Sequence, residues 1–224
     1  MTIRGYKDVA EILTNDTNIA RAAAYQPGNY VTFGTYPQTK SGADQTPIEW
    51  LVLESDGETA LLISRYALDA KQYNNKRTDI TWEKCTLRRW LNNDFYNRAF
   101  STGEKKAILK SDVSADKNPS YSTNPGNATK DSVFLLSIVE AKKYFASDKA
   151  RMCAGTDYAI EQGAYIWRDY TVDGRKACWW WLRSPGINSD DAAFVVDDGS
   201  IYGRGFLVDD SREAVRPCVR VRLF

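Results

Sequence analysis

Apolar positions along this chain switch between a helical and a strand period. Residues 4–24 set Tyr6, Val9, Ala10 and Leu13 at helical spacing, which predicts an amphipathic helix stopped by Pro27-Gly28. NYVTFGTYP then reads as a strand, and PIEWLVLE and TALLIS read as a hairpin turning at Asp56-Gly57. Between 81 and 110 the period returns to 3.6, with Leu87, Trp90, Leu91 and Phe95 on one face and Ser101-x-x-Glu104 in the form of a capping box, predicting two helices. Residues 111–131 hold no period and are rich in Asn, Asp, Ser and Pro, which predicts a long loop. A second capping box, Ser137-x-x-Glu140, opens a helix that carries Ala141, Tyr144 and Phe145. Residues 153–177 read as loop and local turns. The last quarter is strand-like: CWWWLRS, AAFVVD, SIYGRGFLV and AVRPCVRVRLF, with a hairpin signal at Asp198-Gly199. In the final piece Val219, Val221 and Leu223 alternate with Arg220 and Arg222, as a half-buried strand requires. Strands, then helices, then strands predict an α+β fold.

Composition narrows the function classes. Lys plus Arg number 30 against 29 for Asp plus Glu, a balance that gives no field for nucleic acid or anionic lipid. No long apolar run is present, so membrane insertion is not expected, and the N-terminus lacks the apolar core of a signal peptide. The chain reads as cytoplasmic, with display on a virion or surface through a partner as the alternative. Histidine is absent, which removes the commonest general base and transition-metal ligand. Cys85, Cys153, Cys178 and Cys218 are widely spaced with no Cys-x-x-Cys pair, so buried thiols are expected, a Cys178–Cys218 disulfide being the other reading.

The motifs YVTFGTYPQT, PIEWLVLE, ALLIS, TWEKCTLRRWLNNDFYNRAFS, KDSVFLLSIVEA, WWLRSPG and VRP occur in that order from Tyr30 to the C-terminus. Together they resemble an uncharacterised domain family of bacteria and their phages, a family similar to the C-type lectin-like superfamily that includes the formylglycine-generating enzymes. The resemblance implies a small twisted, mostly antiparallel sheet, two main helices and a loop-rich C-terminal half whose end pairs back into the sheet. It divides the chain into a helical segment, 1–29, and a lectin-like domain, 30–224.

A further resemblance is to the variable proteins of diversity-generating retroelements, in which fixed frame positions alternate with rewritten surface positions. It implies a fixed set of Ala192, Ala193, Val195, Gly199, Val208 and Val215-Arg216-Pro217. The ligand-binding candidates it implies are Ile187, Asn188, Ser189, Asp190, Asp191, Phe194, Asp197, Tyr202, Arg204, Phe206, Asp209, Arg212 and Glu213, with Val196, Asp198 and Asp210 in the same variable series. Tyr, Ser, Asn, Asp and Arg are types that binding loops favour, and equally types that turns favour.

Residues 187–213 carry seven acidic groups against two Arg, a local net of minus five that suits a basic or amide-rich partner or simply keeps a sheet edge soluble. Trp179, Trp180 and Trp181 are either a sugar-stacking platform or core; alternation puts Trp179 and Trp181 on one face, and we assign these two to a structural frame with Arg183 and Arg216. The two arginines either clamp an anion or lock the corner and final strand. Asp112, Asp116, Asn118, Asn124, Asn127 and Asp131 lack the spacing of a calcium loop, so no metal or cofactor is expected. Ser184 has no histidine partner, and neither Cys178 nor Cys218 sits in a matching catalytic motif, so no catalytic residue is assigned. The expected activity is binding of a protein ligand, with a carbohydrate as the second reading and a formylglycine-type oxidase or an accessory scaffold behind it.

Overall fold

The computed structural model describes residues 23–223. The predicted N-terminal helix therefore lies, but for its last two positions, outside the described residues. The chain enters through β1 (Tyr30–Tyr36), β2 (Thr46–Ser55) and β3 (Thr59–Ser64), paired antiparallel. The hairpin expected at Asp56-Gly57 forms. The Asp56 carboxylate accepts the Glu58 and Thr59 amides at 2.9 and 2.6 Å, and Gly57 takes φ +89°, a conformation that suits glycine. Ile48, Trp50 and Val52 are buried at every second position of β2, as its period demands.

After β4 (Asp69–Ala70) the helical block forms a rod: α1 (Thr86–Trp90), a π-helical turn (Leu91–Phe95) and α2 (Tyr96–Ala99), then α3 (Thr102–Ala107). Leu87, Leu91 and Phe95 are buried on the predicted face. Both capping boxes are present, at Ser101/Glu104 and at Ser137/Glu140, the second opening α4 (Ile138–Tyr144).

The segment read as an unstructured loop is more organised than its composition suggested. Its ends pair as β5 (Ser111–Val113) and β6 (Thr129–Asp131), followed by β7 (Val133–Phe134). The stretch between them is strapped across the C-terminal strands: Asn118 Nδ2 donates to the carbonyls of Pro185 and Gly203, both at 2.8 Å, and Thr123 Oγ1 to those of Gly186 and Ile187, both at 2.8 Å. Residues 153–177 also carry elements the sequence reading missed: α6 (Asp157–Glu161), after α5 (Asp148–Arg151), and the small pair β8 (Thr171–Val172) and β9 (Arg175–Lys176).

The remaining strands are β10 (Trp180–Pro185), β11 (Asp191–Val195), β12 (Ile201–Leu207), β13 (Ala214–Val215) and β14 (Cys218–Arg222). Two five-stranded sheets result, ordered β1-β2-β3-β14-β7 and β12-β11-β10-β13-β4. The molecule is thus mixed helix and mostly antiparallel sheet, an α+β fold. Two short crossings between the sheets, at 65–68 and at Arg216-Pro217, are zipped together by Ser64 N donating to Pro217 O at 3.0 Å and Leu68 N to Val215 O at 2.9 Å. Val219, Val221 and Leu223 are buried, as their alternation predicted.

Trp180 and Trp181 are fully buried and Trp179 half-buried, so the tryptophan run is mainly core. Arg216 donates to Ser64 O at 3.0 Å and lies 5.2 and 5.1 Å from the ring centres of Phe145 and Trp180. Arg183 donates to Ser114 O at 3.2 Å and Leu135 O at 2.8 Å and forms ion pairs with Asp116 and Glu140. Both arginines therefore lock backbone carbonyls, and Arg183 binds carboxylates as well. The corner they hold is tight: a Cβ at Gly186 would lie 2.4 Å from Arg204 O.

Candidate ligand-binding face

Alternation along the second sheet decides which side chains meet. Trp181 pairs with Phe194 across β10 and β11, and Phe194 with Tyr202 across β11 and β12, so the three share one face. Trp179, just before β10, is fixed by its amide donating to Tyr165 O at 3.1 Å and its carbonyl accepting Ala214 N at 2.8 Å. Its indole stacks on Phe194 at 4.9 Å and meets Tyr165 edge-on at 4.8 Å and Trp167 at 6.0 Å; Phe194 lies 5.3 Å from Tyr202.

Trp167, Trp179, Phe194 and Tyr202, with Val196 and Phe206, line an open hollow of about 240 Å³. Phe194 and Val196 are the buried floor, while Trp167 and Tyr202 are the rim, 53% and 44% exposed. Arg168 lies 4.1 Å over Trp167, and Arg212 lies 5.2 Å over Phe206. Trp179 Nε1 is buried with no hydrogen-bond partner among the described residues. Chemically the hollow is an apolar, aromatic seat. The side-chain polar atoms of its lining are two indole N–H groups and the Tyr202 hydroxyl, so it offers donors, one hydroxyl that can also accept, and no carboxylate.

The structure sorts the sequence-derived candidates into three groups. Phe194, Tyr202 and Phe206 line the hollow, and Arg204 is exposed on the same strand between the last two. The loop carrying Ile187, Asn188, Ser189 and Asp190 adjoins this strand through Ile187 N donating to Arg204 O at 2.7 Å; Asn188 and Ser189 are exposed, and Asp190 pairs with Arg77 at 3.0 Å. Asp209 is half-buried, its carbonyl taken by Gln72 at 2.6 Å, and Arg212 is held by the Asp210 carboxylate at 2.8 Å.

Four candidates expected to point outward are interior. Asp191 accepts Asn188 Nδ2 at 2.8 Å, which turns it into the loop. Asp197 is fully buried because its Oδ2 accepts the Arg168 amide at 2.6 Å, which fixes the segment that carries Trp167. Phe194 is the floor of the hollow. Glu213 is fully buried; burial, with Asp210 beside it, pushes its carboxyl up to about 8, so it is largely protonated at neutral pH. The local excess of acidic groups is therefore not an acidic surface: it is spent on Arg77 and Arg212, buried in turns, or neutralised by a proton.

Sequence reasoning missed Trp167 and Arg168, and placed Trp179 only in the frame. The available signal was the aromatic cluster Tyr165, Trp167 and Tyr170 inside a mainly polar segment. The long-loop carboxylates are engaged elsewhere: Asp112 with Lys130, Asp116 with Arg183, Asp131 with Arg88. Among the described residues no group of three or more Cys, Asp or Glu is arranged to hold a metal ion. All four cysteines are free and buried rather than bridged. Burial pushes the Cys85 thiol up to about 12 and raises those of Cys153, Cys178 and Cys218.

Residues 57–223 match the model of a domain of unknown function, DUF6273, over well more than half of the chain. The chain belongs to the DUF6273 family. No curated protein and no solved structure matches it. The DUF6273 match begins inside the turn between β2 and β3, yet β1 and β2 are hydrogen-bonded into the same sheet, so the packed body extends beyond the matched residues. The aromatic hollow and the corner held by Arg183 and Arg216 lie wholly within the DUF6273 match. No helix among the described residues is long and apolar enough to cross a membrane.

Proposed function

We propose that this chain is a C-type lectin-like binding domain that recognises a protein partner through the aromatic hollow and the adjoining 187–190 loop, as a variable protein of a diversity-generating retroelement does. One observation carries the reading: an open seat built from Trp167, Trp179, Phe194, Tyr202 and Phe206, backed by the wholly buried strands β10 and β11. Large rigid aromatics at a rim supply contact area at low entropic cost and are the usual anchors of binding energy. The return of β14 into the first sheet supports the lectin-like comparison. Buried, protonated thiols support a binding role over thiol chemistry.

A lining of N–H donors with a single hydroxyl favours a partner segment with apolar side chains and free backbone carbonyls. A carbohydrate is the second reading, favoured by the exposed rings of Trp167 and Tyr202; for its hydroxyls the lining offers the Tyr202 hydroxyl as side-chain acceptor and no carboxylate.

A phage-displayed peptide library selected on the immobilised protein tests the reading. Selected binders should lose roughly tenfold or more on the Trp167→Ala and Tyr202→Ala variants, in keeping with the cost of truncating a central anchor. Binders indifferent to both changes, or glycan-array hits without peptide binders, overturn it. A template repeat beside the gene, differing from it only at adenines in the codons of the exposed positions, is the matching genomic observation for diversification.

A further inference from the structure

A second cleft, about 620 Å³, shares no lining residue with the aromatic hollow. It runs between the helical rod and the β5–β6 pair, and five cations line it against two carboxylates, a surplus of three in a chain whose net charge is +1. One of those carboxylates is already consumed. Asp131 is 1% exposed and accepts Arg88 at 2.7 Å, Trp82 Nε1 at 3.1 Å and Thr129 Oγ1 at 2.6 Å. The Arg88–Asp131 pair is thus a fixed wall.

The other cations are available. Arg89 on the rod and Lys110 just before β5 are exposed, and among the described residues neither side chain has a carboxylate partner. Lys130 meets Asp112 at 2.7 Å with both side chains largely in water, and Lys84 is 3.6 Å from its neighbour Glu83 and 73% exposed. Exposed pairs of this kind are weak and salt-screened, and they yield to a more highly charged ligand. The rod widens into its π-helical turn at this point, and the turn supplies Asn92 and Asn93 to the lining; such turns recur at functional sites.

The geometry points to a binding site for a small anion carrying two or more phosphoryl groups, gripped between Arg89 on the helical wall and Lys110 and Lys130 on the strand wall. A guanidinium and ammonium groups on opposite walls suit separate phosphoryl groups of one ligand, and the volume falls in the range of roughly 300–1,000 Å³ typical of small-molecule sites. A concave cleft favours a free small molecule over a flat lipid surface or a long nucleic-acid strand.

Titration calorimetry with sodium tripolyphosphate at low ionic strength tests this. Saturable binding is expected, weakened tenfold or more in the Arg89→Ala/Lys110→Ala variant, weakened by added salt, and unchanged in Lys40→Ala, a surface charge outside the cleft. Both altered side chains are exposed, so an unchanged melting temperature accompanies the loss; the single variants, each with a partial loss, give the same reading if the double variant melts early. No saturable heat, an equal loss in Lys40→Ala, or no loss in the double variant overturns the assignment. So does binding of phosphatidylglycerol vesicles or single-stranded DNA without binding of tripolyphosphate.

Discussion

Glu213 is a carboxyl that the fold holds neutral. Its value near 8 in the folded chain stands above the roughly 4.3 of a free glutamate, so between those pH values the folded state keeps a proton that the unfolded state has lost. Stability from this group is complete below the lower value and falls as pH rises through the window. A Glu213→Gln variant removes the dependence. Relative to wild type it should gain stability on going from pH 5 to pH 8.5, by on the order of a few kcal/mol, in thermal melts at the two pH values. An unchanged difference between the two would refute the assignment. Nothing in the sequence around Glu213 announces this. An Arg-Glu pair after a turn reads as solvated, whereas the backbone at 213 and 214 is paired with Lys71 and Trp179, which come from distant parts of the chain. The same holds for Asp191 and Asp197, whose partners, an asparagine side chain and a loop amide, cannot be read from spacing. Positions 191, 194, 197 and 213 are therefore poorly suited to free replacement, and the exposed side chains at 188, 189, 202 and 204 are the ones a diversified surface would use.

At the scale of elements, local codes were legible. Both capping boxes, both glycine turns and the alternation of β2 and β14 follow from residues within a few positions of one another, and the structure contains them. The π-helical turn, the β5–β6 pairing and the short elements of 153–177 were not legible. The first depends on packing and the others on partners across polar sequence with no period. The two boxes also differ in a measurable way. Ser101 is exposed, whereas Ser137 is fully buried and its hydroxyl also donates to Asp116 at 2.6 Å. Ser101→Ala should cost about 1 kcal/mol, the usual worth of a cap. Ser137→Ala should cost about 2 kcal/mol or more, because the site is fully buried and the half-buried Asp116 loses a donor as well. Urea unfolding of the two variants checks the order, and equal losses would mean that the Asp116 bond contributes nothing.

At the scale of the molecule, the α+β order was readable from the switch of periods, while the division into two sheets was not. The two short crossings between the sheets bind each other through backbone groups far apart in sequence, which no local pattern announces. One global consequence concerns the thiols, which stand at the N-cap of the rod, in the segments that precede β10 and in β14, and are all buried. A thiol reagent such as DTNB should find none of them on the time scale of free cysteine and all four after denaturation. Fast reaction of Cys178 or Cys218 in the native protein would return thiol chemistry to consideration.

The strap formed by Asn118 and Thr123 grips Pro185, Gly186, Ile187 and Gly203 by their main-chain oxygens alone. Every amino acid carries such an oxygen, so the clasp is blind to the identity of the groups displayed beside it. Mutations that rewrite position 187 or the neighbours of 203 leave its grip intact, and the scaffold can tolerate novelty in its display without having to be refolded around each new version.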